Sequence, residues 1–143
     1  MPDRRHVVLN LGGEGERNPR DGDLVVNINL MEEGLLRPGF ASKLGTGQVV
    51  IRGSAGKLPI RDHAAESVVA NRFPIQFGRL VDNRPVEDLA SEVFRVSRTG
   101  GTVDFHCSRC DVQLLAAFRD AGLHLTEAPR PGGALRLDKP GMR

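Results

Sequence analysis

Tryptophan and tyrosine are absent from the 143-residue chain, and phenylalanine occurs only six times. The aromatic platforms on which proteins stack single-stranded nucleic acid are therefore nearly missing. An excess of one charge is missing too. Lys and Arg number 20 against 18 Asp and Glu, and no basic block is present to track a phosphate backbone. Nucleic acid is not an expected partner. No apolar run approaches membrane-spanning length, and Met1-Pro2-Asp3-Arg4-Arg5-His6 lacks the apolar region of a signal peptide. No membrane contact is expected, and the cytoplasm is the expected location. The two cysteines, Cys107 and Cys110, make no disulfide framework. What remains is an ordinary globular composition, 39% hydrophobic and 27% charged. The length suits a single domain over residues 1–138 with a core of its own, followed by a frayed tail over 139–143.

The most informative stretch lies near the start. His6-Val7-Val8-Leu9-Asn10-Leu11 is a short, β-branched apolar run, and it breaks into Gly12-Gly13-Glu14-Gly15-Glu16. The run reads as a buried strand and the glycines as a tight turn. In an α/β protein such a turn sits at the carboxyl end of a central strand, where ligands bind. A turn of this kind is usually followed by a helix whose N-terminus receives an anion. Here Arg17-Asn18-Pro19-Arg20-Asp21-Gly22-Asp23 follows, which is loop. A second strand is expected over 24–30, so close behind the first that the usual crossover helix is missing or worn to a turn.

Residues 31–40 are expected to make one or two helical turns ended by Pro38-Gly39, and strands are expected over 48–51 and 67–71. Between these two strands, residues 53–62 are polar and turn-prone. Pro85 suits the first position of a helix. Val86, Leu89, Ala90, Val93 and Phe94 then recur at helical spacing, and Thr99-Gly100-Gly101 is expected to end that helix. A fifth strand is expected over 102–106 and a helix over 111–121, with Val112, Leu115 and Ala116 on its apolar side, widened by Phe118 and Ala121. Two last strands, 123–127 and 134–137, flank Pro129-Arg130-Pro131-Gly132-Gly133 as an antiparallel hairpin. The sum is α/β: a Rossmann-like, seven-stranded, mostly parallel sheet with a C-terminal antiparallel hairpin.

This order resembles the class I S-adenosylmethionine (SAM) methyltransferases. Residues 9–16 look like the family's first glycine motif. Gly53-Ser54-Ala55-Gly56-Lys57-Leu58-Pro59-Ile60 resembles its stretch of glycine, aspartate, alanine, two variable residues, leucine, proline and an apolar residue. Glu92-Val93-Phe94-Arg95-Val96-Ser97-Arg98-Thr99-Gly100-Gly101 is similar to the segment ending in paired glycines ahead of the fifth strand. The resemblance is to a reduced member without the first crossover helix. It implies a SAM site at Asn10, Gly12, Gly13, Gly15, Asn29, Ser54 and Ala55. Five of the matching positions depart from the family. Asn10 stands for an acidic residue, and Glu14 and Glu16 stand for the second and third alternating glycines. Asn29 stands for the acid that binds both ribose hydroxyls, and Ser54 for the aspartate that reads the adenine amino group. An amide only half reproduces a carboxylate that accepts two hydroxyls, and side chains at 14 and 16 crowd a backbone that must approach its ligand. The cofactor is expected to be none, or SAM bound weakly.

Glu14 and Glu16 are candidate general acid/base residues at the cleft, or else solvated loop residues paired with Arg17 or Arg20. Asn71, Arg72, Phe73 and Asp104 are candidate lining for a substrate pocket, with Asp104 either facing the cleft or alternating outward. Cys107-Ser108-Arg109-Cys110 is read as reduced thiols at a helix start, with Ser108 or Asp111 capping, and no metal is assigned to it. Without a first crossover helix, Val7, Leu9, Leu11, Val26 and Ile28 are expected to lack cover on one face. Residues 31–40 or a two-fold partner subunit would supply it, so a homodimer is expected. Three functions stay open. They are a small-molecule enzyme without cofactor (cyclisation, isomerisation or dehydration) or binder, an active SAM-dependent methyltransferase, and a non-catalytic protein partner.

Overall fold

A computed structural model describes residues 6–13, 19–20, 22–30, 44–107, 112–127 and 134–141. The elements run β1 (His6–Leu11), β2 (Asp23–Asn29), β3 (Gln48–Arg52), β4 (Ala65–Phe73), α1 (Val86–Val96), β5 (Ser97–Cys107), α2 (Val112–Ala121), β6 (His124–Leu125) and β7 (Ala134–Asp138). They form one seven-stranded sheet in the order β3-β2-β1-β4-β5-β7-β6. β1 to β5 are mutually parallel, while β7 runs antiparallel to β5 and to β6. The expected architecture is the observed one. The expected turns of helix over 31–40 lie outside the described residues.

The two faces of the sheet differ in kind. Leu9 and Leu11, Val26 and Ile28, Val68 and Ala70, Val103 and Phe105, and Leu135 and Leu137 alternate onto one face. That face forms a single buried cluster with Val86, Leu89, Ala90, Val93 and Val96 of α1 and Leu114, Ala117 and Phe118 of α2. Phe105 anchors it, with its ring centroid 5.4 Å from that of Phe73 and 5.4 Å from that of Phe118. The side of α2 that packs inward is therefore not the one expected. Ala116 is exposed and Leu115 half-buried, while Leu114 and Ala117, one position away, are buried. Either register gives a run of apolar residues, because the helix reads VQLLAAF, and the sheet selects the one that presents Phe118.

Leu9, Leu11, Val26 and Ile28 are buried within the chain, and Val7 packs against the same cluster. They share that cluster with residues of α1 and α2, so their cover is supplied within the chain. The opposite face is polar along β4, β5 and β7. There Ser67 Oγ lies 3.4 Å from His6 Nε2 and 3.2 Å from Thr102 Oγ1.

Two boundaries differ from expectation. α1 ends at Val96 rather than at the glycines, because Ser97 turns extended and its hydroxyl donates to the Val93 carbonyl at 2.6 Å. Residues 97–101 instead open β5, with Gly100 at φ +82°. Pro85 is the extended residue before α1 rather than its first turn. Lys139, expected in a frayed tail, is 5% exposed. Its backbone donates to the Gly101 carbonyl at 3.0 Å and accepts from Gly100 N–H at 2.8 Å, which extends the β5–β7 pairing.

Candidate functional site

Because β1 to β4 are parallel neighbours, their carboxyl ends bring four loops to one edge of the sheet. The glycine turn follows β1, Asn29 ends β2, the turn over 53–57 follows β3, and Asn71 and Phe73 end β4. The structure thus gathers Gly12, Gly13, Asn29, Ser54, Ala55, Asn71 and Phe73 at that edge. Glu14, Gly15 and Glu16 lie outside the described residues, as does Cys110.

Under the glycine turn lies a ladder of amides. Asn10, Asn27 and Gln48 are at most 2% exposed. Asn10 Nδ2 donates to Asn27 Oδ1 at 3.0 Å, and Asn27 Nδ2 donates to Gln48 Oε1 at 3.1 Å and to the Val49 carbonyl at 3.0 Å. A buried amide must be paired, and three on adjacent strands pair one another across β1, β2 and β3. Asn10 is thus part of the sheet's interior. The ladder also explains Gly13, since a Cβ there would lie 2.6 Å from Asn10 Nδ2 and closer still to Asn27 Oδ1. Gly12 adopts φ +70°, with its N–H bonded to the Ile28 carbonyl at 2.7 Å. Asn29 is 8% exposed and donates its Nδ2 to the Gly13 carbonyl at 3.1 Å, holding the glycine turn to the end of β2.

Phe73 reaches this place through an irregularity. Ala70 pairs with Phe105 but Phe73 with Cys107, so β4 carries one extra residue there. Such a bulge re-aims the side chains beyond it. Phe73 is turned into the core against Phe105, at the foot of Gly12, while Asn71 is exposed. Arg72 lies in the strand between them, its side chain outside what the structure describes. Asp104 is not gathered with these residues. It sits on the polar face, level with Val69, with Oδ1 3.5 Å from His106 Nε2 and 3.8 Å from Arg136 Nε. The outward alternative is the one observed.

Ser54 is tied on both sides. Its Oγ accepts from Gly56 N–H at 3.0 Å and makes a short hydrogen bond to the Asp82 carboxylate. Asp82 comes from the loop between β4 and α1 and pairs with Arg84 Nε at 3.4 Å. The loop over 53–64, which joins β3 to β4 with no helix of its own, is held by α1. Arg95 donates to the carbonyls of Ile60 at 2.7 Å and Leu58 at 2.9 Å, and to Asp62 at 2.8 Å. Its Nε meets Glu92 at 2.7 Å, and Glu92 accepts from Leu58 N–H at 2.7 Å. These bonds hold the Glu92 carboxyl below the usual range, chiefly through Arg95, and raise the Arg95 guanidinium above its own.

Asp82, Glu92 and Arg95 are functional supports that sequence reasoning missed. The i, i+3 spacing of Glu92 and Arg95 on the polar side of α1 was the available signal for the clamp. Asp82 carried none. Among the described residues no helix is long and apolar enough to cross a membrane.

No protein-family model and no curated protein matches the chain. Solved structures do. The antibiotic-resistance methyltransferase Kmr aligns at a TM-score of 0.72 and 14% identity, over 99% of this chain and 89% of that one. The aminoglycoside resistance methyltransferase NpmB1 aligns at 0.70 and 18%, over 96% and 89%. The [4+2]-cyclase SpnF aligns at 0.65 and 19%, over 88% of this chain and 53% of that one. With its strand order and its gathered carboxyl-end loops, this chain has the fold of the class I SAM-dependent methyltransferases.

Proposed function

We propose that this methyltransferase-fold protein takes a small molecule at the carboxyl ends of β1 to β4 and has lost the standard mode of holding SAM there. One observation carries the reading. The two residues at the positions that would read the nucleoside are tied into the protein itself. Asn29 donates to the Gly13 carbonyl, and Ser54 is bonded to Asp82. A ribose diol would meet an amide already committed to the glycine turn, and an adenine amino group would meet a hydroxyl instead of a carboxylate.

In this reading the cleft works without cofactor, with Glu14 or Glu16 as general acid/base in a cyclisation, isomerisation or dehydration. The solved neighbours are compatible with either chemistry, since they include methyltransferases and one cyclase on the same fold. The two-fold homodimer expected from the sequence is kept as part of the proposal, with an interface other than Leu9, Leu11, Val26 and Ile28, which are buried within the chain. The cytoplasmic location expected from the sequence is kept as part of the proposal.

The test is calorimetric titration with SAM and with S-adenosylhomocysteine, together with native mass spectrometry of the purified protein. The expected result is no binding of either and no co-purified nucleoside. Micromolar binding would overturn the loss of the SAM mode. Once a substrate is in hand, replacing the glutamate that serves as acid/base with Gln should lower turnover by about 10²–10⁴-fold.

A further inference from the structure

At the same sheet edge, the loop between β4 and α1 forms a hollow of about 750 Å³, lined among others by Ile75, Phe77, Arg79, Leu80 and Val81. Among the described residues, Gly12, Gly13, Asn29, Ser54 and Asp104 do not line it. Its volume lies within the roughly 300–1,000 Å³ of small-molecule sites. Phe77 is 91% exposed and Val81 69%, far above any other exposed large hydrophobic among the described residues.

Phe77 is also held where it stands. Gln76 and Arg79 exchange two backbone hydrogen bonds, each 3.0 Å, around Phe77-Gly78. Both central residues have positive φ, +52° and +70°. This is a two-residue type I′ hairpin, a turn that favours Asn-Gly. A phenylalanine in the left-handed region is strained. Gly78 sits against the Gln113 side chain, where a Cβ would come within 2.5 Å. The chain thus holds an aromatic ring in water on a strained, braced turn, and water alone gives it no reason to stay.

The hollow carries one cation without a carboxylate partner among the described residues. Arg84 is paired with Asp82 and Asp88, whereas Arg79 makes a single side-chain hydrogen bond, from Nη1 to the Asn83 carbonyl at 2.9 Å. We infer that this hollow binds a small amphipathic organic anion, with Phe77, Ile75 and Val81 against its apolar body and Arg79 on its carboxylate, sulfonate or phosphate. A second copy of the chain is a poorer occupant. A stable interface needs about 800 Å² from each partner, and two exposed side chains on one hairpin loop supply a fraction of that.

The probe is 1-anilinonaphthalene-8-sulfonate, an aromatic sulfonate whose fluorescence rises on leaving water, beside its uncharged relative N-phenyl-1-naphthylamine. Wild-type protein should bind the sulfonate with a saturable, single-site isotherm. F77N places Asn-Gly in the turn, so the melting temperature should hold or rise while affinity for both probes falls at least tenfold. R79Q should weaken the sulfonate about tenfold and leave the neutral probe unchanged. Equal binding by wild type and F77N, or no saturable binding of the sulfonate below about 1 mM, would overturn the inference. So would a dimer in light scattering that F77N converts to monomer, since that would assign Phe77 to a second copy. The SAM titration reads Asn29 and Ser54, which do not line this hollow, so failure of one proposal is told apart from failure of the other.

Discussion

Replacing Lys139 with Met should destabilise this protein although the residue lies near its C-terminal end. Lys139 is 5% exposed. Its Nζ donates to the carbonyls of Phe94 at 2.8 Å and Ser97 at 2.9 Å and to His63 Nδ1 at 3.1 Å, and it lies 4.2 Å from the centroid of the Phe94 ring. The ammonium thus closes the end of α1, where orphan carbonyls and the negative end of the helix dipole collect. Methionine keeps the length of the stem and removes every donor. Each buried acceptor left unpaired costs about 1–3 kcal/mol, and the lost cation–π contact adds about 0.5–2 kcal/mol. Against this stands relief from burying a charge, which holds the Lys139 ammonium below its ordinary pKa, with Asp62 opposing weakly. The net expectation is a loss of about 2–4 kcal/mol, or about 6–12 °C in melting temperature for a chain of this size. The pH dependence has a definite sign. With the folded pKa depressed, the unfolded chain binds more protons between the folded and unfolded values, so stability rises with pH across that window. The difference between wild type and K139M should therefore widen from neutral pH towards the ordinary lysine pKa. Urea melts followed by circular dichroism at several pH values read both effects. A K139M protein within about 0.5 kcal/mol of wild type would refute the reasoning, since surface substitutions fall in that range.

Two further changes test the supports of the sheet edge. G13A drives a methyl group into the Asn10–Asn27 ladder and should cost about 2–4 kcal/mol; a melt unchanged from wild type would show that the glycine serves only a ligand. E92Q removes a carboxylate that Arg95 and Leu58 N–H hold below the usual range. The stability it contributes, about 1.5–3 kcal/mol for hydrogen bonds to a charged group, is present above the unfolded pKa near 4.5 and is lost as pH falls through the lower folded value. Denaturant melts should separate E92Q from wild type at pH 7 and bring them together as the pH falls through the lowered folded value, whereas parallel curves would deny the clamp.

The parallel strands were legible because each is a short β-branched run, and the closing antiparallel hairpin because a proline- and glycine-rich turn separates its two strands. Local pattern failed where tertiary packing decides between near-equivalent readings. Leu114-Leu115-Ala116-Ala117 is apolar throughout, so only the position of Phe105 under Phe118 fixes which pair is buried. Thr99-Gly100-Gly101 reads as a helix stop, yet Ser97 had already closed the helix through its own hydroxyl. At the site, sequence placed Asn29 and Ser54 at the right edge but not their partners. A hydrogen bond from Asn29 to a carbonyl 16 residues away, or from Ser54 to a carboxylate 28 residues away, leaves no periodic trace.

In a doubly wound fold each crossover helix pins the loop at its end by packing. Here no helix lies among the described residues of the first three crossovers, and the pinning is done by side chains reaching across from elsewhere. Asn29 holds the glycine turn, Asp82 holds Ser54, and Glu92 with Arg95 holds residues 58–62. Under the proposed loss of the SAM mode, the positions that would read a nucleoside are the ones that serve as struts. A reversal should then carry a structural cost. Restoring a carboxylate at position 29 removes the donor to the Gly13 carbonyl, so N29D is expected to loosen the glycine turn before it can help any ribose.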